Sequence, residues 1–319
     1  MAEKEAPVEL IAARPVPRPG RWVGAAVVGV LVAMAIHALI TNPNFQWPLV
    51  WKWLFSKTIM TGVLYTLILT VLAMVLGTIL ALTMAVMRQS PNPVLRYVAT
   101  FYIWFFRGTP IYTQLIFWSL LPTLYPQLSL GIPFGYEFVT FNTASVLSVF
   151  WMAVLGLGFN EGAYLSEIIR AGINSVDKGQ WEAATALGMS RGQIMRRIVL
   201  PQAMRVIVPP LGNETISMLK TTSLVAAIPF TLELTFAAST KGHQLFAPIP
   251  LLIDAAIWYL VITSVLMVAQ HYIEAYYGKG FDGATKKKKK DKGAATNVED
   301  ALEQQDPEGD DLAFLEVTP

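Results

Sequence analysis

Residues 171–202 read AGINSVDKGQWEAATALGMSRGQIMRRIVLPQ and form the longest polar connection within an otherwise apolar body. The triplet Glu-Ala-Ala occupies positions 182–184. Gly188 follows, where a glycine permits a turn that a larger residue resists. The pattern predicts a short helix, a glycine turn and a second helix, with Pro201 marking the entry into a further apolar segment. Paired small residues on an exposed helix allow another protein to approach closely, so the loop is typical of a docking site.

The composition predicts an all-α polytopic membrane protein. Of the 319 residues, 54% are hydrophobic and only 14% are charged, and the mean hydropathy is +0.48. Soluble domains carry roughly 25% charged residues, so an ordinary soluble enzyme, a coiled coil and a disordered chain are excluded. The chain has no cysteine, which excludes disulfides and thiolate chemistry. Its three histidines are scattered and predict no metal site.

Apolar segments long enough to cross a bilayer, about 20 residues each, define the domain organisation. Four clear candidates and two interrupted ones, about six in all, are residues 22–41, 59–87, 141–160 and 255–273, then 109–125 and 204–228. Residues 94–106, rich in aromatic rings, either begin the third span or lie at the membrane interface. Residues 22–41 are interpreted as a retained first helix, because they exceed a typical signal-peptide core and no cleavage site follows.

The distribution of lysine and arginine predicts the orientation. With the N-terminus inside, twenty of these residues are cytoplasmic, whereas Lys52, Lys57 and Lys241 are external. We therefore expect residues 1–21 to be a cytoplasmic N-terminal segment. Residues 281–319 are expected to form a disordered cytoplasmic tail, because they are polar and biased in charge. The lysine run in this tail either touches anionic membrane lipid or serves only as a solubilising flank.

The polar loop resembles the EAA loop of ABC importer permeases at every position of the motif. The matching residues, which the resemblance assigns to coupling with an ATPase, are Glu182, Ala183, Ala184, Gly188, Ile198, Leu200 and Pro201. Further segments are similar to polar amino-acid permeases, namely FRGTP at 106–110, AYLSEIIRAGI at 163–173, GQW at 179–181, PPLGNE at 209–214 and KTTSL at 220–224. The resemblance covers about residues 59–281, and the first helix and the tail lie outside it.

The resemblance implies a type I ABC importer permease fold, with a transmembrane domain at 58–280, its coupling loop at 171–202 and an added helix at 22–41. It implies a pore built with a second permease copy or a sister permease, in the cytoplasmic membrane of a prokaryote. The other implied partners are ABC ATPase subunits and an extracytoplasmic amino-acid-binding protein. The resemblance implies no nucleic-acid partner. The sequence has no Gly-x-x-x-x-Gly-Lys-Ser/Thr motif, so ATP is expected on a partner chain and this chain is predicted to be neither an enzyme nor a cofactor protein.

Polar residues inside spans are candidates for substrate contact, because a charge there costs about 2.5–3.5 kcal/mol on insertion scales. Glu161 and Glu214 each lie nine residues from a boundary arginine, or about 14 Å deep, and Gln114 lies about 10 Å deep. Glu161 suits the ammonium group of an amino acid. The other candidates are Asn160, Gln114, Glu214, Ser217, Lys220 and Tyr164. Glu214 either contacts the ligand or is part of the framework, and Lys220 either binds or snorkels outward.

Two other classes of function were weighed against an importer permease. An ion-coupled secondary amino-acid transporter also places glutamates in its spans, but it is expected to show paired repeats and no EAA loop. A membrane enzyme or assembly factor lacks support, because the sequence contains no nucleophile motif and no metal-ligand set. The sequence leaves open which amino acid is carried and whether the pore is a homodimer or a heterodimer.

Overall fold

Thirteen helices and one strand pair make up the part of the chain that the structure, a computed structural model, describes, which is residues 19–132 and 135–278. The helices are α1 (Pro19–Thr41), α2 (Trp47–Trp53), α3 (Lys57–Arg88), α4 (Pro93–Gly108), α5 (Ile111–Ser119), α6 (Leu121–Leu124), α7 (Thr143–Val146), α8 (Val149–Asn174), α9 (Lys178–Ala186), α10 (Arg191–Ile194), α11 (Leu200–Thr221), α12 (Leu234–Gln244) and α13 (Pro248–Tyr277). The predicted tail at 281–319 and most of the predicted N-terminal segment lie outside the described residues.

Three helices in the described part of the chain are long and apolar enough to cross a membrane, Gly20–Thr41, Lys57–Arg88 and Pro248–Tyr277. They contain the predicted spans 22–41, 59–87 and 255–273. Helix α1 is exposed along its whole length and is tied to the following segment by a 2.9 Å bond from Trp47 Nε1 to the Leu39 carbonyl. The count of about six spans stays a prediction.

The predicted span at 141–160 is wrong in its first third. Strands β1 (Gln127–Gly131) and β2 (Glu137–Asn142) form an antiparallel hairpin that pairs Gln127 with Asn142, and α8 begins only at Val149. The sequence of β2 is rich in aromatic and β-branched residues, which suit a strand, and a short apolar run by itself does not distinguish strand from helix. The hairpin is also the exception to the predicted all-α class.

The two interrupted spans are indeed broken. The stretch 94–106 belongs to α4, which ends at Gly108, and a separate helix α5 starts after Pro110. At the other interruption, α11 ends at Thr221 and passes into a 3-10 segment at Thr222–Ala227. At the first break Gly108 and Pro110 are exposed, whereas at the second Thr222 and Val225 are buried.

Helices α3 and α8 form the centre of the bundle, and glycines let them approach closely. A side chain at Gly158 would collide with Leu76, and one at Gly162 would collide with Leu80. Small residues spaced four apart on a helix allow this backbone contact in a membrane. The α3–α8 contact therefore fixes the position of α8, which carries several of the predicted site residues.

Charged residues mark two opposite ends of α3. At one end, Lys241 lies over the ring of Trp53, with its Nζ atom 5.2 Å from the ring centroid. At the other end, Glu167 on α8 pairs with Arg88 at the end of α3 and with Arg170. Lys241, which was predicted to be external, thus lies at the opposite end from Arg88 and Arg170, which were predicted to be cytoplasmic.

Candidate functional site

The predicted helix, glycine turn and second helix are present in the polar loop. Asp177 caps α9 by accepting a 2.6 Å bond from the Gly179 N–H, and Gly188 has a φ of 73°, in the left-handed region that favours glycine. Ser190 and Gln193 then form a capping box that starts α10. A π-helical stretch, Met195–Val199, joins α10 to α11, so the chain runs from the loop directly into the bundle.

The small residues of the motif divide between the inside and the outside of the loop. Glu182 and Ala183 are exposed, whereas Ala184 is 1% exposed and belongs to the buried core of this subunit. The Ala184 side chain packs inward, and the predicted role of this residue in close contact with the ATPase stays a prediction. Of the other motif residues, Ile198 and Leu200 are partly or largely exposed, and Pro201 lies in the first turn of α11.

The sequence reasoning missed Leu187. This residue precedes the turn glycine, and 81% of its surface is exposed at the tip of the loop. The sequence feature that could have indicated this residue is a leucine next to the turn glycine in an otherwise polar segment. Burying a leucine side chain contributes about 1.5–3 kcal/mol, so an exposed leucine at this tip suits contact with another protein.

An ion-pair cluster lies just above this loop. Glu167 Oε2 accepts bonds of 2.9 Å and 2.6 Å from Nε and Nη2 of Arg170, and its other oxygen pairs with Arg88. The pair within α8 joins residues one helical turn apart, whereas 79 residues separate Glu167 from its partner Arg88 on α3. The cluster fastens the end of α3 to the end of α8, which leads into the loop.

Two predicted substrate residues, Gln114 and Asn160, lie together at the α4–α5 break. Gln114 Nε2 donates to the carbonyl of Phe106 at 3.0 Å and to Thr109 Oγ1 at 2.7 Å. Asn160 Nδ2 donates to the same Phe106 carbonyl at 2.9 Å and to Gln114 Oε1 at 3.3 Å. These amides satisfy carbonyls that the broken helix leaves without a helical partner. Their role in substrate binding stays a prediction.

Glu161 occupies the centre of the bundle. It is 5% exposed, it lies against Gly77 of α3, and its Oε1 atom has no hydrogen-bond partner among the residues that the structure describes. Glu214 on α11 is near enough for its charge to act on that of Glu161. A buried carboxylate without a donor is costly, so it either takes up a proton or attracts a cationic group.

The other predicted residues face outward from the subunit. Ser217 and Lys220 are exposed on α11 and line a groove between α11 and α13. Tyr164 is partly exposed, and the guanidinium carbon of Arg107 lies 5.2 Å from its ring centroid, which satisfies a cation–π contact. The predicted set therefore separates into the internal group around Glu161 and an outward-facing group, with Ser217 and Lys220 on α11 and Tyr164 on α8.

Two buried carboxylates were not predicted at all. Glu233 caps α12, and it accepts a 2.5 Å bond from Tyr259 Oη and a 3.2 Å bond from Thr66 Oγ1. Asp254 is fully enclosed, and neither of its oxygens has a partner in the described part of the chain. Glu233 is a framework residue that joins α3, α12 and α13. Within residues 19–132 and 135–278, no group of three histidines or carboxylates could hold a metal ion.

Comparison with known proteins defines the class to which this fold and loop belong. Residues 73–277 match the family described as binding-protein-dependent transport system inner membrane component, and the chain belongs to that family. It is 51% identical to the arginine transport system permease protein of Corynebacterium glutamicum, over 85% of this chain and 84% of that protein. It is 38% identical to the L-cystine transport system permease protein of Bacillus subtilis, over 75% of this chain and 94% of that protein.

Solved structures agree with this assignment. An amino acid ABC transporter crystallised with histidines is 35% identical, with a TM-score of 0.57 over 70% of this chain and 95% of that chain. A methionine ABC transporter in an inward-facing conformation has a TM-score of 0.53, covers 70% of this chain and 99% of that chain, and shares the fold at 15% identity. The type I ABC importer permease fold is thus confirmed. The chain is a multi-pass membrane protein and a translocation component of an ABC transporter.

Proposed function

We propose that this chain is the permease subunit through which an ABC importer carries a cationic amino acid across the cytoplasmic membrane. It is a permease of the amino-acid ABC importers. The proposal adds that its substrate is cationic. The observation that carries this step is Glu161, a buried carboxylate without a hydrogen-bond donor at Oε1 and with a second carboxylate near it. The arginine permease relative is consistent with such a substrate.

The partners follow from the permease role. Two ABC ATPase subunits dock at residues 171–202 and bind the ATP, so this chain holds no nucleotide and no cofactor. A second copy or a sister permease completes the pore, an extracytoplasmic amino-acid-binding protein delivers the substrate, and membrane lipid surrounds the helices. The exposed tip at Leu187 and the rigid connection from the loop into α11 support docking of the ATPase at this place.

Reconstitution tests the substrate. The permease, assembled in proteoliposomes with its ATPase and its binding protein, should take up arginine in the presence of ATP and the binding protein. Glutamate should not enter, because the Glu161 and Glu214 carboxylates repel an anionic side chain. Uptake of glutamate at the rate of arginine would contradict the cationic substrate, and uptake without ATP would favour an ion-coupled secondary transporter.

Cysteine labelling tests the orientation, and the natural absence of cysteine provides a clean background. Ser190 lies in the polar loop and Ser129 lies in the hairpin, and both are exposed. We expect Ser129→Cys to react with a membrane-impermeant thiol reagent in intact cells, whereas Ser190→Cys and Ala295→Cys react only after the cells are opened. Labelling of Ser190→Cys from outside would reverse the topology and place both termini outside.

A further inference from the structure

Helix α11 ends at Thr221, and Lys220 lies in its last turn. Gln270 Nε2 donates to the Pro209 carbonyl at 2.8 Å, which sets these two residues at one level of the antiparallel helices α11 and α13. Lys220 is about 17 Å further out along α11. On α13, Tyr259 lies at the same level as Lys220. Tyr259 is about 17 Å from Pro248, the outer end of that helix. The lysine is therefore deep in the span.

This lysine has no ion pair within residues 19–132 and 135–278, where the ion pairs involve only Arg88, Arg170 and Glu167. Its side chain is exposed on the surface of the subunit. A free ammonium group facing hydrocarbon at this depth costs about 2.5–3.5 kcal/mol on insertion scales, so intramembrane charges face polar cavities instead. An anion that reaches Lys220 would relieve this cost.

Two cavities meet at Lys220. One, of about 390 Å³, runs between α11 and α13 on the Glu274 side, and its lining residues are Asn213, Ile216, Ser217, Lys220, Met267, Gln270, His271 and Glu274. The other, of about 270 Å³, lies on the Tyr259 side and includes the hydroxyls of Ser223 and Thr235. Lys220 is common to both walls. The second cavity is lined mainly by apolar residues, whereas the first carries the polar groups and is called here the Lys220 groove.

The Lys220 groove has opposite charges along its length. Donors gather around Lys220, where Ser217 and Asn213 lie on the same helix, and the carboxylate of Glu274 lies toward the inner end. Gln270 Nε2 donates to Glu274 Oε1 at 2.9 Å, which orients that carboxylate. Lys220 and Glu274 are about 22 Å apart along the helix axes, so they act on the anionic and cationic groups of a passing molecule at successive positions. Discontinuous helices that end inside the membrane are a common setting for transporter sites.

We propose that the Lys220 groove is a binding track for the transported amino acid, in which Lys220 and Ser217 hold the α-carboxylate at the outer position and Glu274 attracts the cationic side chain at the inner position. The proposal rests on the transport function above and adds a location and a basis for selectivity. It assigns His271, Gln270 and Glu274 to substrate passage. The track is separate from the internal group at Glu161, because Ser217 and Lys220 face outward on α11 whereas Glu161 is enclosed between α3 and α8.

The first test separates the two charges by comparing uptake of arginine with uptake of citrulline, its neutral isostere. Lys220→Gln should lower uptake of arginine and citrulline alike, by at least about 10-fold, since both carry an α-carboxylate. Glu274→Gln should lower the arginine-to-citrulline uptake ratio about 10-fold, because only arginine has the cationic end. The binding protein is the same in every assay, so a change in this ratio belongs to the permease.

Lys52→Gln is the matched control, because Lys52 is exposed on α2 far along the chain from the groove, and it should behave as the wild type. If both groove variants also transport as the wild type does, the track is wrong while the transport function stands. If the wild type carries no amino acid, the transport function itself fails. The two failures are therefore distinguishable.

A second test does not depend on the stability of the charge variants. Ser217→Cys in the cysteine-free chain should react with a water-soluble thiol reagent, and excess arginine should slow this reaction at least about 5-fold when the binding protein and ATP are present. A reaction rate unchanged by arginine would overturn the proposal. Labelling only by a lipid-soluble reagent would also overturn it, since the groove would then face acyl chains.

Discussion

Leu187→Asp is expected to abolish ATP-driven transport while leaving the permease in the membrane. The leucine is exposed at the loop tip and touches nothing that the fold requires, so replacing it does not disturb the bundle. Docking of an ATPase over this side chain would gain about 1.5–3 kcal/mol from its burial. Loss of that gain, with the added cost of burying a carboxylate, weakens docking by at least about 100-fold. Co-purification of the ATPase with the permease measures the effect, and uptake should fall with it.

Leu187→Met is the matched control, because it keeps the apolar surface and the approximate volume. It should retain the ATPase and transport normally. Full recovery of the ATPase with Leu187→Asp would contradict docking at this tip.

Ala184→Arg provides a contrast within the same helix. Because Ala184 is packed in the core of the subunit, an arginine there forces an unpaired charge into the interior and lowers the amount of folded permease. Leu187→Asp should instead leave the amount unchanged and remove only the partner. The two variants thus separate packing inside the loop from contact outside it.

Local sequence signals predicted the loop, and tertiary packing limited what they could assign. Gly188 takes the positive φ that its position in the motif implies, and the cap at Asp177 and the capping box at Ser190 are likewise short-range features. Which face of α9 points inward depends on neighbours from α10 and the π-helical stretch Met195–Val199, so the sequence did not reveal that Ala184 is buried and Leu187 is exposed.

Contacts between distant residues explain the other differences. Asn160 and Gln114 are 46 residues apart and meet through the break after α4, and Thr66 reaches Glu233 across 167 residues. Periodicity along one helix contains no information on such pairs. The hairpin was missed for a different reason, since the apolar content of residues 137–142 resembles that of a span and only the pairing with β1 makes it a strand.

Glu161→Gln is expected to lower uptake per assembled complex by about 10- to 100-fold. A charge-assisted hydrogen bond from the carboxylate to a cationic group contributes about 1.5–3 kcal/mol, which corresponds to this loss in affinity. Glutamine has nearly the same shape, and the side chain at this position must fit against Gly77, so the substitution keeps the packing of α3 on α8. The measurement is arginine uptake divided by the amount of complex that contains the ATPase.

The bundle would respond differently if Glu161 were only a framework residue. Burying a carboxylate is costly, so removing its charge would then leave transport unchanged and raise the amount of folded protein. Glu137→Gln in the exposed hairpin, with the same chemical change, should affect neither quantity. The docking loop is intact in both variants. A loss of uptake with Glu161→Gln alone would therefore reflect substrate binding. Uptake equal to that of Glu137→Gln would show that Glu161 is not part of the transport path.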